Sequence, residues 1–118
     1  MQKDYFRGHP IWKPLELELH KRRNNLTNDQ LSTIIQTFGL TGNATQFFFY
    51  ELEETIMDSP ITIEETNLLK ILQGYSLADQ GTSQFYMHLM KEFLRRDKFK
   101  QLSMLQLAEV CKFFRKAS

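Results

Sequence analysis

The sequence predicts an all-α protein, a short α-solenoid of two-helix repeats of about 37 residues with roughly six helices. Two apolar patterns, here called B and A, alternate along the chain, and each recurs at about that interval. Each pattern has the spacing of one face of an α-helix. Five Gly and three Pro stand against ten Phe, a composition that favours packed helices over loops.

The first repeat combines a B helix at residues 10–23 with an A helix at residues 28–39. Thr27-x-x-Gln30 has the form of a capping box and marks the start of the A helix. Gly39 stands where a C′ glycine would end it. The apolar stripe of the B helix is Ile11, Trp12, Leu15 and Leu19, and that of the A helix is Leu31, Ile34, Ile35 and Phe38.

The second repeat lies 37 residues further on, with helices predicted at residues 44–57 and 63–76. Asn43 with Gln46 is predicted to open the B helix, and Thr62-x-x-Glu65 the A helix. The stripes are Phe48, Phe49, Leu52 and Ile56, then Leu68, Ile71, Leu72 and Tyr75.

The third repeat predicts helices at residues 80–96 and 103–117. Asp79 or Thr82 opens the first, and Ser103-x-x-Gln106 opens the second. The B stripe follows again after 37 residues and the A stripe after 39. The stripes are Phe85, Tyr86, Leu89 and Phe93, then Leu107, Val110, Cys111 and Phe114.

These repeats predict one domain, residues 10–118, preceded by an N-terminal extension, residues 1–9. An isolated helix with one apolar stripe is marginal, so neighbouring helices must cover each stripe. The last helix has no following helix to cover Val110, Phe113 and Phe114. We expect these side chains either to turn back into the core or to dock on another molecule.

Cysteine usage and hydropathy indicate an intracellular setting. The single cysteine, Cys111, cannot form an internal disulfide, and its place in the A stripe predicts a buried residue. No apolar run is long enough to span a bilayer. The N-terminus carries no signal-peptide core, and whether a presequence has been removed stays open.

No pattern in the sequence predicts catalysis, a metal site or a cofactor. His9, His20 and His88 lack ligands at metal spacing, and His88 is read as a packing residue. There is no glycine-rich phosphate loop. The carboxylates that cluster in the second B helix are interpreted as solvated surface: Glu51, Glu53, Glu54 and Asp58.

Charge alternates along the chain as basic, acidic and basic blocks. Residues 26–66 hold seven acids and no Lys or Arg, whereas both flanking blocks are rich in cations. The cations either complement helix C-termini or contact a partner, RNA phosphates or anionic lipid. The predicted contact residues are Lys21, Arg22, Arg23, Arg95, Arg96, Lys98, Lys100, Arg115 and Lys116, with Phe113 and Phe114 as exposed apolar anchors.

Two further patterns leave RNA binding open. Trp12, Phe49 and Tyr86 recur at one position of the B helices and are either packing residues or platforms on which bases stack. Gln36 and Gln73 recur in the A helices, where fixed polar residues of RNA-repeat proteins read bases. Surface glutamine in a helix is the alternative.

The A-helix sequence from Leu102-Ser103 to Phe114, repeated at about 37 residues, resembles the heptatricopeptide and octotricopeptide repeats of organellar proteins. FAST-kinase-like mitochondrial proteins carry similar repeats. The resemblance implies an α-solenoid, a mitochondrial or plastid location, and RNA binding or processing. This chain is shorter than those proteins and its middle repeat is acidic.

Together these observations predict a non-catalytic interaction module. We expect an accessory or scaffold subunit packed against other proteins in a larger, mitochondrial assembly. The alternative is an organellar RNA-binding protein that contacts ribosomal or messenger RNA.

Overall fold

The computed structural model describes residues 10–42, 45–58 and 63–117, in which all regular secondary structure is helical. The predicted extension, residues 1–9, and the predicted caps Asn43 and Thr62 lie outside the described residues. Two 3₁₀ segments, Arg23–Asn25 and Arg95–Gln101, follow the first and fifth helices. The helices are α1 (Trp12–Arg22), α2 (Asn28–Thr41), α3 (Gln46–Met57), α4 (Glu65–Leu77), α5 (Ser83–Leu94) and α6 (Met104–Ala117).

The all-α class and the six predicted helices are confirmed. Two predicted capping boxes form. The backbone N–H of Gln30 donates to Thr27 Oγ1 at 3.1 Å, and Gln30 Oε1 accepts from the Thr27 N–H at 3.0 Å. Ser103 and Gln106 form the same pair of bonds at 3.2 and 2.8 Å. These boxes fix the starts of α2 and α6.

The predicted starts of α3 and α4 were wrong, whereas one of the two candidates for α5 is confirmed. Thr45, not Asn43, caps α3, and its side chain accepts from the Phe48 N–H. Of the two candidates for α5, Thr82 is the cap. Glu64 occupies the N-cap position of α4, so that helix begins two residues later than predicted.

Gly39 does not end α2 but lies inside it, where it lets two helices approach closely. The helix continues to Thr41, and Gly42 takes the left-handed C-cap position with φ 68°. A Cβ added to Gly39 would lie 2.3 Å from the carbonyl oxygen of Gly74 in α4. Because both positions lack a side chain, the backbones of α2 and α4 are in direct contact.

Helices pack against their counterparts in the next predicted repeat. α2 contacts α4, and α4 contacts α6. α1 contacts α3, and α3 contacts α5. The predicted stripes supply most of the core, since Leu52, Ile71 and Leu89 are fully buried, although Ile34 on α2 is only half-buried.

Aromatic rings form a continuous row through this core. Successive ring centroids from Trp12 through Phe38 and Phe48 to Phe49 lie 5.4, 4.9 and 5.9 Å apart. The row continues from Phe49 to Tyr75 at 5.0 Å. The centroids of Tyr75 and Phe85 lie 4.3 Å apart, and those of Phe85 and Tyr86 lie 6.2 Å apart. Edge-on and tilted pairs at these distances stabilise beyond the area they bury.

Candidate interaction surfaces

The predicted basic residues separate into exposed cations and cations held by the fold. Lys21 is exposed, and Arg22 is exposed with its Nε 2.8 Å from Glu18. Arg23 is half-buried and donates to the carbonyl of His20 at 2.7 Å. The three cations therefore differ in exposure and in pairing and do not form a uniform exposed patch at the end of α1.

In the second basic segment, Arg95 and Lys100 are exposed and pair at 3.4 Å with Glu92 and Asp97. The side chain of Arg96 lies outside the described part of the structure. Exposed pairs of this kind contribute little to stability, so both cations remain available to a ligand.

The prediction that Lys98 belongs to an exposed basic patch was wrong. The side chain is buried, and its Nζ donates to the carbonyl oxygen of Ile63 at 2.6 Å. Glu92 lies 3.4 Å from the same ammonium. The cation links the segment after α5 to the backbone before α4, because that carbonyl precedes the helix and needs a donor.

On α6, Arg115 is exposed, and among the described residues it makes no ion pair. Lys116 is exposed as well, but its Nζ donates to the carbonyl of Ser76 at 2.6 Å. The hydroxyl of Ser76 is buried and has no hydrogen-bond partner among the described residues.

Phe113 and Phe114 are not exposed anchors, so that expectation was wrong. Phe113 is 5% exposed. Phe114 is half-buried and its ring meets that of Phe93 at 6.1 Å, edge-on. Of the two alternatives for the end of α6, the structure shows the one in which the aromatic side chains turn back into the core.

Cys111, by contrast, is exposed and not a core residue. Its counterpart Leu72 in α4 is fully buried, because α4 lies between α2 and α6. α6 packs on α4, and no described helix covers its outer side. Helical periodicity places the residue on an apolar face but does not say whether a neighbour covers that face.

The acidic cluster of α3 is not all solvated surface, since Glu53 is buried. Its Oε1 accepts from the Thr82 hydroxyl at 2.7 Å and from the Thr82 N–H at 3.3 Å. Glu16 of α1 is also buried, and it accepts from the Thr45 N–H at 2.7 Å and from the Thr45 hydroxyl at 3.1 Å. Each glutamate thus holds the N-cap residue of the next B helix.

Sequence reasoning missed this pair of contacts, although the signal was present. Glu16 and Glu53 are 37 residues apart, as are Thr45 and Thr82. Met90 stands at the next position of the glutamate series and is 46% exposed.

The residues proposed to read or stack bases are engaged within the protein. Gln36 Nε2 donates to Gln73 Oε1 at 2.7 Å, so the two amides pair with each other. Phe49 is fully buried, while Trp12 and Tyr86 are half-buried at the two ends of the aromatic row. Their arrangement is that of packing residues.

Burial shifts the ionisation of two tyrosines in this row. Tyr75 is fully buried and its hydroxyl donates to the carbonyl of Phe49 at 2.6 Å. Burial, with the nearby charge of Glu53, raises its pKa well above 10. Burial and the charge of Asp79 raise the pKa of Tyr86 to about 12. Neither group is poised for acid–base chemistry near neutral pH.

Apolar side chains are half-buried or exposed at both ends of the helix order. At one end, an open groove of about 500 Å³, the N-terminal groove, is lined by Leu19, Leu26, Asp29, Gln30, Thr33 and Ile34. At the other end, one side of α6 exposes the C-terminal face, which consists of Met104, Leu105, Ala108 and Cys111. Beside it in the helix order, α5 exposes Met87, Met90 and Leu94, the α5 stripe.

The described residues form a further cleft, but neither a metal site nor a membrane-spanning helix. A larger cleft of about 600 Å³ lies between Arg23, Thr27, Glu54 and Asp58 and has mixed charge. Within residues 10–42, 45–58 and 63–117, no three His, Cys, Asp or Glu side chains converge as metal ligands. None of the helices described there combines the length and the hydropathy that a bilayer crossing requires.

Comparison with known protein families, curated proteins and solved structures yields no match for this chain.

Proposed function

We propose that this chain is a non-catalytic helical-repeat interaction module, an accessory or scaffold subunit that packs into a larger, mitochondrial assembly. A short α-solenoid of repeats of about 37 residues underlies this role. Two structural pairs support that architecture, because Glu16 with Thr45 and Glu53 with Thr82 make the same contacts one repeat apart. Pairing of Gln36 with Gln73 across 37 residues agrees with the same interval.

The observation that carries the proposal is a difference in burial between the middle and the ends. Leu19 and Ile34 at the N-terminal groove are half-buried, whereas their counterparts Ile56 and Ile71 are fully buried. The same difference separates Cys111 from Leu72. Apolar positions that are buried in the middle repeat, and that the described residues cover only in part or not at all at both ends, favour docking on other proteins.

Native isolation tests the proposal. The tagged protein, purified gently from its own cells, should bring down partner chains in constant ratio, and cross-links should map to the N-terminal groove or the C-terminal face. Ile34→Glu and Leu105→Glu should each reduce recovery, while Leu17→Glu, an exposed site on α1, serves as the control. Recovery of the protein alone, or recovery unaffected by all three variants, contradicts the proposal.

The second candidate is an organellar RNA-binding protein that contacts ribosomal or messenger RNA. Exposure of Arg95, Lys100 and Arg115 favours it, since cations supply most of the affinity for a phosphate backbone. Binding should then weaken steeply with salt and be lost in Arg95→Ala/Arg96→Ala. Partner recovery that persists after nuclease treatment, without salt-dependent RNA binding, excludes this candidate. The organellar setting of both candidates follows from the resemblance of the repeats, and fractionation of the source cells tests it.

A further inference from the structure

The C-terminal face is a continuous exposed strip along α6. Met104, Leu105, Ala108 and Cys111 follow helical spacing, and Met104 and Leu105 are 81% and 73% exposed. The last two turns of the helix place Lys112 and Arg115 on the same side, and both are exposed. Among the described residues neither cation has an ion-pair partner. The apolar strip therefore ends in two exposed cations that pair with no described acid.

The α5 stripe has the same character. Met87, Met90 and Leu94 are exposed at i, i+3 and i+7, with Lys91 and Arg95 exposed beside them. Met90 occupies the register of Glu53, the residue that holds the N-cap of the next B helix. Met90 has no carboxylate with which to bind an N-cap residue. A further B helix therefore could not dock on α5 by the contact that Glu53 makes with Thr82.

The chemistry of the two strips indicates what would cover them. Three of the five methionines of the chain, Met87, Met90 and Met104, are exposed here, and flexible thioether side chains adapt to an apolar partner surface. The exposed cations beside them favour negative charge in that partner. Glu109, half-buried, is the one acid in the described sequence of α6.

Other occupants fit these observations less well. A second copy docked head to tail would present its N-terminal groove, whose lining holds one acid, Asp29, and so would complement the two cations of α6 less fully than a helix with several carboxylates. A nucleic-acid backbone would neutralise Lys112 and Arg115 but would leave Met104 and Leu105 in water.

From these observations we infer that the C-terminal face and the α5 stripe bind an acidic amphipathic helix of a partner protein. The partner's apolar side packs on Met104, Leu105 and the α5 methionines, and its carboxylates meet Lys112 and Arg115. Helix-in-groove recognition of this kind reads apolar anchors at i, i+3, i+4 and i+7. The inference rests on the proposed function as an interaction module and specifies the partner of one of its two surfaces.

Synthetic peptides of equal length and helicity test the inference on the full chain. One carries Leu at helical anchor positions with flanking Glu, and a second carries the same Leu pattern with flanking Lys. Fluorescence anisotropy should show the Glu peptide binding at least about tenfold more tightly, a difference that corresponds to about 1.4 kcal/mol. Amide shifts on binding should map to α5 and α6.

Two variants define the contacts. Leu105→Glu should weaken the Glu peptide at least about tenfold, whereas Leu17→Glu, on α1, should not change its affinity. Lys112→Glu/Arg115→Glu should reverse the preference and favour the Lys peptide. All four substituted residues are exposed, and circular dichroism of each variant verifies the fold.

Several outcomes would overturn the inference. They are equal affinity for the two peptides, no binding of either, amide shifts confined to the N-terminal groove, concentration-dependent self-association through α6, and preference for a single-stranded RNA oligonucleotide. If native partners are recovered and Leu105→Glu still captures them, the interaction-module proposal survives and this inference fails. If no partner is recovered and no peptide binds, both fail.

Discussion

The carboxylate of Glu53 in α3 binds the backbone N–H and the hydroxyl of Thr82, the residue that caps α5. The Thr82 hydroxyl in turn accepts from the Phe85 N–H at 3.1 Å. One carboxylate therefore fixes both the start of α5 and its position against α3. Charge-assisted hydrogen bonds of this kind are stronger than neutral ones.

Replacing Glu53 with alanine should lower the free energy of unfolding by about 1–3 kcal/mol, because the Thr82 N–H loses its acceptor in a partly buried site. Glu53→Gln keeps an acceptor oxygen and should cost less. Glu54→Ala, at the exposed neighbouring position, should change stability by less than about 0.5 kcal/mol. Urea unfolding followed by circular dichroism measures all three, and equal effects at positions 53 and 54 would contradict the assignment.

The close approach of Gly39 to Gly74 predicts a larger loss of stability on substitution than at Glu53. Alanine at position 39 places its Cβ 2.3 Å from a backbone oxygen, so α2 and α4 must separate. We expect Gly39→Ala to cost about 3 kcal/mol or more. The matched control is Gly42→Ala, where φ is 68° but an added Cβ would meet no described atom within 4 Å beyond its chain neighbours, and strain alone should cost about 1–2 kcal/mol. Thermal unfolding that ranks Gly42→Ala as the worse variant would refute the close approach.

Periodicity predicted the parts of the fold that depend on one helix at a time. Leu68, Ile71 and Leu72 are buried because a 3.6-residue stripe must face the core wherever a neighbour covers it. The same rule predicted that Cys111 is buried, and this prediction was wrong. Burial of a stripe position depends on whether a neighbouring helix covers it, which the stripe itself does not show.

Buried charges could not be predicted in the same way. The partner of Lys98 is the carbonyl of Ile63, and a backbone acceptor 35 residues away leaves no trace in the side-chain pattern. Glu53 was different, because the glutamate and its threonine partner both recur after 37 residues. A search for paired polar recurrences, in addition to apolar ones, would have found it.

Replacing Lys98 and Lys100 in turn should distinguish a cation that stabilises the fold from one that is free to bind a ligand. Lys98→Met retains the aliphatic volume but leaves the Ile63 carbonyl and Glu92 without the ammonium, and should cost about 1–3 kcal/mol. Lys100→Met removes a cation whose side chain is 65% exposed and should change stability by less than about 0.5 kcal/mol. Chemical unfolding distinguishes the two. Similar small effects would mean that Lys98 belongs to the surface.

Alkaline pH should destabilise the fold through its buried tyrosines. Because burial raises the pKa of Tyr75 and Tyr86 above 10, the folded protein binds more protons than the unfolded chain above that pH. Their contribution is complete below pH 10 and is lost as pH rises towards 12 and beyond. The free energy of unfolding should therefore fall over this range. Tyr86→Phe should remove one late-titrating group from the tyrosinate absorbance and make the fall shallower, and an unchanged curve would contradict the assignment.

The C-terminal end of α4 contains a strained residue whose replacement should stabilise the protein. Asp79 takes φ 58° in a Schellman arrangement. The Gln80 N–H donates to the Tyr75 carbonyl at 2.9 Å, and the Asp79 N–H donates to the Ser76 carbonyl at 3.1 Å. Glycine adopts this conformation without a Cβ clash, so Asp79→Gly should raise the free energy of unfolding by about 0.5–1 kcal/mol. Part of the gain is offset because the unfolded chain becomes more flexible.

Asp79→Asn separates this backbone effect from the charge effect. Both variants remove the carboxylate that helps to raise the pKa of Tyr86, so both should lower that pKa, while burial, the larger cause, keeps it above 10. Only the glycine variant relieves the backbone, so only it should stabilise clearly at neutral pH. Equal stabilisation by asparagine would assign the cost of Asp79 to its charge and not to its left-handed backbone.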